Sequence, residues 1–97
     1  MTMSNCVIQY TGEETANEYQ QAIKVIMQNI QSGSPSGSVL NLNLDNKDSS
    51  AEGKLTIVSR EGSFEAKTSA KDALAVVKLL KKDVDHQIRG WLKTRDI

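Results

Sequence analysis

The residues best suited to chemistry are cations at helical spacing. Lys71, Lys78, Lys82, Arg89 and Lys93 follow one another at steps of seven, four, seven and four. On a helix turning about 100° per residue, those steps bring all five within an arc of about 60°. Lys81 lies just outside the arc, and Arg95 extends it if the helix continues; Asp85 borders it, while Asp72 and Asp83 sit to one side. The strip would run about 33 Å at about 1.5 Å per residue, long enough to track several phosphates of a nucleic acid. A solvated amphipathic helix also carries charge opposite its apolar stripe, so the pattern admits a plain solvent face as well.

The other reactive side chains assemble nothing comparable. Cys6 is the only cysteine of 97 residues, so no intramolecular disulfide forms, which fits a reducing compartment. No base accompanies it, and it reads as a small apolar residue at a strand start. His86 is the single histidine and has no second ligand at metal-binding spacing. No serine lies in a Gly-x-Ser-x-Gly turn, and no glycine-rich loop could cradle a phosphate. Glu13, Glu14 and Glu18 cluster where a helix begins, a place that favours acids without any catalytic role. Trp91 falls on an apolar face and reads as packing rather than as a base-stacking platform. These observations predict no enzyme, no metal site and no cofactor.

The elements that must position the cations are legible from hydropathy. Cys6–Tyr10 reads as a strand ending in a turn at Thr11-Gly12. Thr15 and Glu18 have capping-box spacing, and Ala16, Tyr19, Ile23, Ile26 and Ile30 predict a helix to about Gln31. Ser32–Ser38, rich in serine and glycine, breaks it and reads as a flexible crossover loop. Leu40, Leu42 and Leu44 alternate with Asn41 and Asn43, the signature of a strand buried on one face. After a polar loop over Asn46–Gly53, Lys54–Arg60 and Ser63–Lys67 alternate around a turn at Glu61-Gly62, a hairpin. Ser69 to Asp72 opens the second helix with another capping-box pattern. Its apolar face is Ala73, Val77, Leu80, Val84, Ile88 and Trp91, with Gly90 expected to fray or end the last turn.

The order strand, helix, three strands, helix predicts an α+β fold, βαβββα, with two helices on the leucine face of a four-stranded sheet. Strands one and two would be parallel across the helical crossover and the rest antiparallel. At 97 residues the expectation is one domain over 1–97.

From about Leu40 to Lys93 the chain resembles the short ribosome hibernation-promoting factors, also called ribosome-associated inhibitor or sigma-54 modulation proteins. The likeness rests on the hairpin Lys54–Lys67, on Thr68-Ser69-Ala70-Lys71-Asp72, and on the helix that follows through Val84-Asp85-His86-Gln87-Ile88-Arg89. Asp72, Val77, Leu80, Val84, Gln87 and Ile88 fit the family pattern. Asp83 and His86 stand where members usually carry a cation, and the first helix holds only Lys24. What the resemblance implies is binding to the small ribosomal subunit through ribosomal RNA, and silencing of translation under stress. The contacts it implies are Lys78, Lys82, Arg89 and Lys93, with Lys71 and Lys81 in support.

Two further readings belong beside it. A protein-interaction module of the same fold would use strand one or the hairpin edge, giving a homodimer. A double-stranded RNA-binding domain would want a lysine pair opening the second helix, where this chain has Lys71 and then a carboxylate. Lysine and arginine number 12 and so do aspartate and glutamate, so any electrostatic partner must be met by a local patch. Residues 1–5 show no signal-peptide pattern and no apolar run approaches a membrane span. The expected location is cytoplasmic, with no membrane partner.

Overall fold

In the computed structural model, residues 5–95 are described, with side chains through residue 93. Six elements follow one another: β1 (Cys6–Gly12), α1 (Asn17–Gly33), β2 (Val39–Asn46), β3 (Ala51–Ser59), β4 (Gly62–Ala70) and α2 (Ala73–Arg95). The strands form one mixed sheet in the order β1-β2-β3-β4. The pair β1–β2 is parallel, while β2–β3 and β3–β4 are antiparallel. This is the βαβββα arrangement that the sequence predicts.

The core lies between one sheet face and the two helices. Leu40, Leu42 and Leu44 of β2, Leu55 and Ile57 of β3, and Phe64 and Ala66 of β4 are buried on that face. Ile23, Met27 and Ile30 of α1 and Ala73, Val76, Val77, Leu80, Val84 and Ile88 of α2 close over them. Trp91 is half-buried and meets Phe64 edge-to-face, ring centroids 6.2 Å apart and planes at 84°, a geometry aromatic quadrupoles favour. The opposite sheet face is open, and Val7, Val39 and Val58 are exposed on it.

Several local expectations are corrected. Thr15 forms no capping box: α1 begins after Ala16 with no side-chain cap, and the buried Thr15 hydroxyl lacks a hydrogen-bond partner. Gln20 Nε2 instead donates to the Thr15 carbonyl at 2.9 Å. The helix runs to Gly33, and its buried stripe includes Met27. The crossover segment that follows is tied at its end, where the Ser38 amide donates to the Pro35 carbonyl at 3.1 Å and both residues are buried.

The loop between β2 and β3 spans only 47–50, because Ala51 and Gly53 belong to β3 and are buried. A Cβ on Gly53 would stand 2.5 Å from Val76 Cγ1 and 2.9 Å from Leu44 Cδ2. Glycine is therefore what lets α2 approach the sheet at that point. The β3–β4 turn is Arg60-Glu61, since Ser59 pairs with Gly62. The strand β4 extends to Ala70, so Ser69 is in the sheet and cannot start a helix.

Candidate RNA-facing strip on the second helix

Asp72 is itself the N-cap of α2. Its Oδ1 accepts from the Ala75 amide at 2.8 Å, and its carbonyl accepts from the Val76 amide at 3.1 Å. A capping carboxylate satisfies one of the otherwise orphaned first-turn donors and lies well in the helix dipole. From there the buried residues recur at steps of three and four through Ile88, which fixes the rotation of the cylinder. The cations at the opposite angles must then project outward. Gly90 does not stop the helix, which continues to Arg95; the Arg95 side chain lies outside the described ones.

Lys78, Lys82, Arg89 and Lys93 are all exposed on that outward face. The ion pairs among the described residues join Lys47 to Glu52, Lys54 to Glu65 and Lys81 to Asp85. None of them engages these four cations, so no glutamate of α1 neutralises the strip. From Lys78 to Lys93 it spans about 22 Å at about 1.5 Å per residue.

Two expected members stand apart. Lys71 precedes the N-cap, so it is exposed in the short link from β4 rather than carried on the helix. The strip is shorter than the wheel suggests for that reason. Lys81 is half-buried, and its Nζ donates to Asp85 Oδ2 one turn away, which occupies both charges. Asp83 lies within reach of Gln87 Nε2 at 3.3 Å, and the same amide donates to the Glu65 carbonyl at 2.9 Å.

His86 is exposed between Lys82 and Arg89, and with Leu79, Asp83 and Asp85 these residues line a shallow depression along α2. Lysines elsewhere do not join it. Lys54 and Lys67 face one another across β3 and β4 on the open side of the sheet, away from α2. Lys24 projects from α1 into a different depression.

That second depression is one sequence reasoning missed. It is an open groove of about 450 Å³ between β1 and α1, floored by Cys6, Ile8 and Tyr10 and walled by glutamines of α1. Burial pushes the Cys6 thiol and the Tyr10 phenol up from their ordinary values. The available signal was the run of uncharged residues in β1 beside Gln20, Gln28 and Gln31 at helical spacing.

Among the described residues no three His, Cys, Asp or Glu side chains gather into a group able to hold a metal ion. No helix among them is long and apolar enough to cross a membrane.

The mixed four-stranded sheet with its two helices defines a known α+β class. The N-terminal domain of Thermus thermophilus Protein Y has the same fold, with a TM-score of 0.64 and 9% identity over 89% of this chain and 94% of that one. A ribosomal subunit interface protein from Coxiella burnetii is similar at TM-score 0.63 and 13% identity, over 89% of this chain and 97% of that one. No protein-family profile and no curated protein matches the sequence.

Proposed function

We propose that this chain is a ribosome-associated protein, a single hibernation-factor-like domain over 1–97, acting in the cytoplasm. In this reading α2 meets RNA of the small subunit and restrains translation under stress. The observation that carries it is the outward strip of Lys78, Lys82, Arg89 and Lys93, unengaged by the ion pairs described, on a helix anchored by its opposite face. The fold shared with Protein Y and with a ribosomal subunit interface protein supports the same direction. Lys71, exposed just before the helix, acts as a supporting cation, whereas Lys81 is held by Asp85 and contributes little. No catalysis, cofactor or metal enters the role.

A strip of four cations implies a specific salt response. Each neutralised phosphate releases counterion, so the logarithm of affinity should fall with the logarithm of salt at a slope of roughly 3 to 4. That is about a hundredfold loss between about 50 and about 200 mM salt. Co-sedimentation with small ribosomal subunits across such a series tests it. Pelleting with the subunit at low salt, reduced at high salt, is expected; absence from the ribosomal fraction at every salt concentration rejects the role. Exchanging both Lys82 and Arg89 for glutamate should lower the salt slope by about 2.

A further inference from the structure

The two edges of the sheet are treated differently. At β4 the chain supplies Glu65 and Lys67, and Gln87 of α2 reaches over to cap the Glu65 carbonyl. Charges and overlying side chains are the ordinary means of keeping a strand edge from pairing. At β1 the sequence sets no such guard: residues 5–12 contain no charge and no proline.

The register shows which groups β1 presents. The Asn5 carbonyl accepts from the Leu40 amide at 2.7 Å, and Cys6 pairs with Leu40 in the parallel ladder. In a parallel pair the bonds to one neighbour come from alternate residues, so the odd-numbered residues of β1 serve β2. The N–H and C=O of Ile8 and Tyr10 therefore point to the open edge. Their side chains form the half-buried floor of the groove under α1, while Val7 and Gln9 stand exposed on the other sheet face.

We propose that β1 pairs antiparallel with β1 of a second copy of this chain, extending the sheet across a two-fold axis. A two-fold interface brings each surface against itself, so it must be self-complementary. Backbone edges meet that requirement, and so do amides, which donate and accept alike. The groove wall is of that kind, with Gln20, Gln21, Gln28 and Gln31 and the single charge of Lys24. Two neutral β1 strands approach without repulsion. The α2 strip, a row of like charges, could not pair with itself. The pairing uses one edge per copy, so assembly stops at two.

The test uses charge where the folded monomer tolerates it. Every antiparallel register that sets Ile8 or Tyr10 of one copy against Ile8 or Tyr10 of the other puts Gln9 opposite or diagonal to Val7 or Gln9 of the second copy, and like charges opposed across strands destabilise. The full chain should show a mass rising with concentration from 10.7 kDa and levelling at twice that, by sedimentation equilibrium. The double variant Val7→Lys with Gln9→Lys should keep its circular dichroism and thermal transition yet stay monomeric at least tenfold higher in concentration. Mixing it with Val7→Glu and Gln9→Glu should restore the dimer. A wild-type mass independent of concentration overturns the proposal. So does unchanged assembly of the lysine variant, failure of the mixture to recover, or growth beyond two. The Lys82→Glu, Arg89→Glu variant should dimerise normally, which separates this surface from the ribosomal one.

Discussion

The Lys81 ammonium donates to the Asp85 carboxylate one turn further along α2, and both side chains are only about one-third exposed, 38% and 34%. An (i, i+4) pair of this kind contributes only a few tenths of a kcal/mol to the helix. Its larger consequence is electrostatic, because it removes one cation from the strip and holds one anion at its border. The Lys81→Ala variant should bind small subunits within about threefold of wild type, whereas Lys82→Ala should lose about one unit of salt slope. The Asp85→Asn variant, which releases Lys81 and deletes the bordering anion, should bind more tightly than wild type. Co-sedimentation at two salt concentrations separates these cases, and a Lys81 variant as weak as the Lys82 variant would contradict the assignment.

Thr15 offers a prediction of sign. A hydroxyl that capped α1 would cost about 1 kcal/mol to remove. The Thr15 hydroxyl is instead buried without a partner, a state that carries a desolvation cost of about 1–3 kcal/mol. Replacing it with isosteric valine should therefore stabilise the protein. For a domain of this size, about 1 kcal/mol corresponds to a rise of about 4–8 °C in Tm. A lower Tm for Thr15→Val would show that the hydroxyl serves α1 after all.

Gly53 should tolerate nothing larger. Its missing Cβ is what admits Val76 and Leu80 of α2 over β3, and overpacking of a close contact costs about 1–3 kcal/mol. The backbone there needs no left-handed conformation, so the effect is purely steric. In a Val76→Ala background much of the penalty of Gly53→Ala should disappear, giving a favourable coupling in a double-mutant cycle. Independent, additive losses in urea denaturation would refute the contact.

These contacts mark where the sequence was and was not legible. The alternation of Leu40, Leu42 and Leu44 with asparagines states its own burial, because a strand's period of two leaves one assignment of faces. The stripe of α2 is equally plain. Met27 belongs to the stripe of α1 on the same reasoning, four residues after Ile23 and three before Ile30, so its burial was legible from spacing alone. Ala51 and Gly53 looked like loop because their smallness answers a neighbour, α2, that is distant in sequence. Ser69 and Asp72 have capping-box spacing, but which of them caps α2 depends on how far β4 persists. Ser69 pairs with Glu52 across the sheet, a tertiary fact that displaces the helix start and takes Lys71 off the strip. The groove beside β1 had no motif at all; it follows from which strand ends up at an edge.

The groove also makes stability fall as pH rises into the alkaline range. Burial raises the Cys6 thiol above its ordinary 9.0 and the Tyr10 phenol above its ordinary 10.0. In the unfolded chain both would ionise at those ordinary values. Between the unfolded and folded values the native state binds more protons than the unfolded one, so unfolding free energy falls as pH rises. The contribution is fully present below about pH 8 and declines once pH passes the unfolded thiol value. Thermal unfolding followed from about pH 7 to about pH 10 should show Tm dropping more steeply for wild type than for Cys6→Ser, which lacks the thiol. Titration of the native thiolate by its ultraviolet absorbance should give a midpoint above 9.0. A midpoint at or below that value, with parallel Tm curves for the two proteins, would mean that α1 does not shield the floor of the groove.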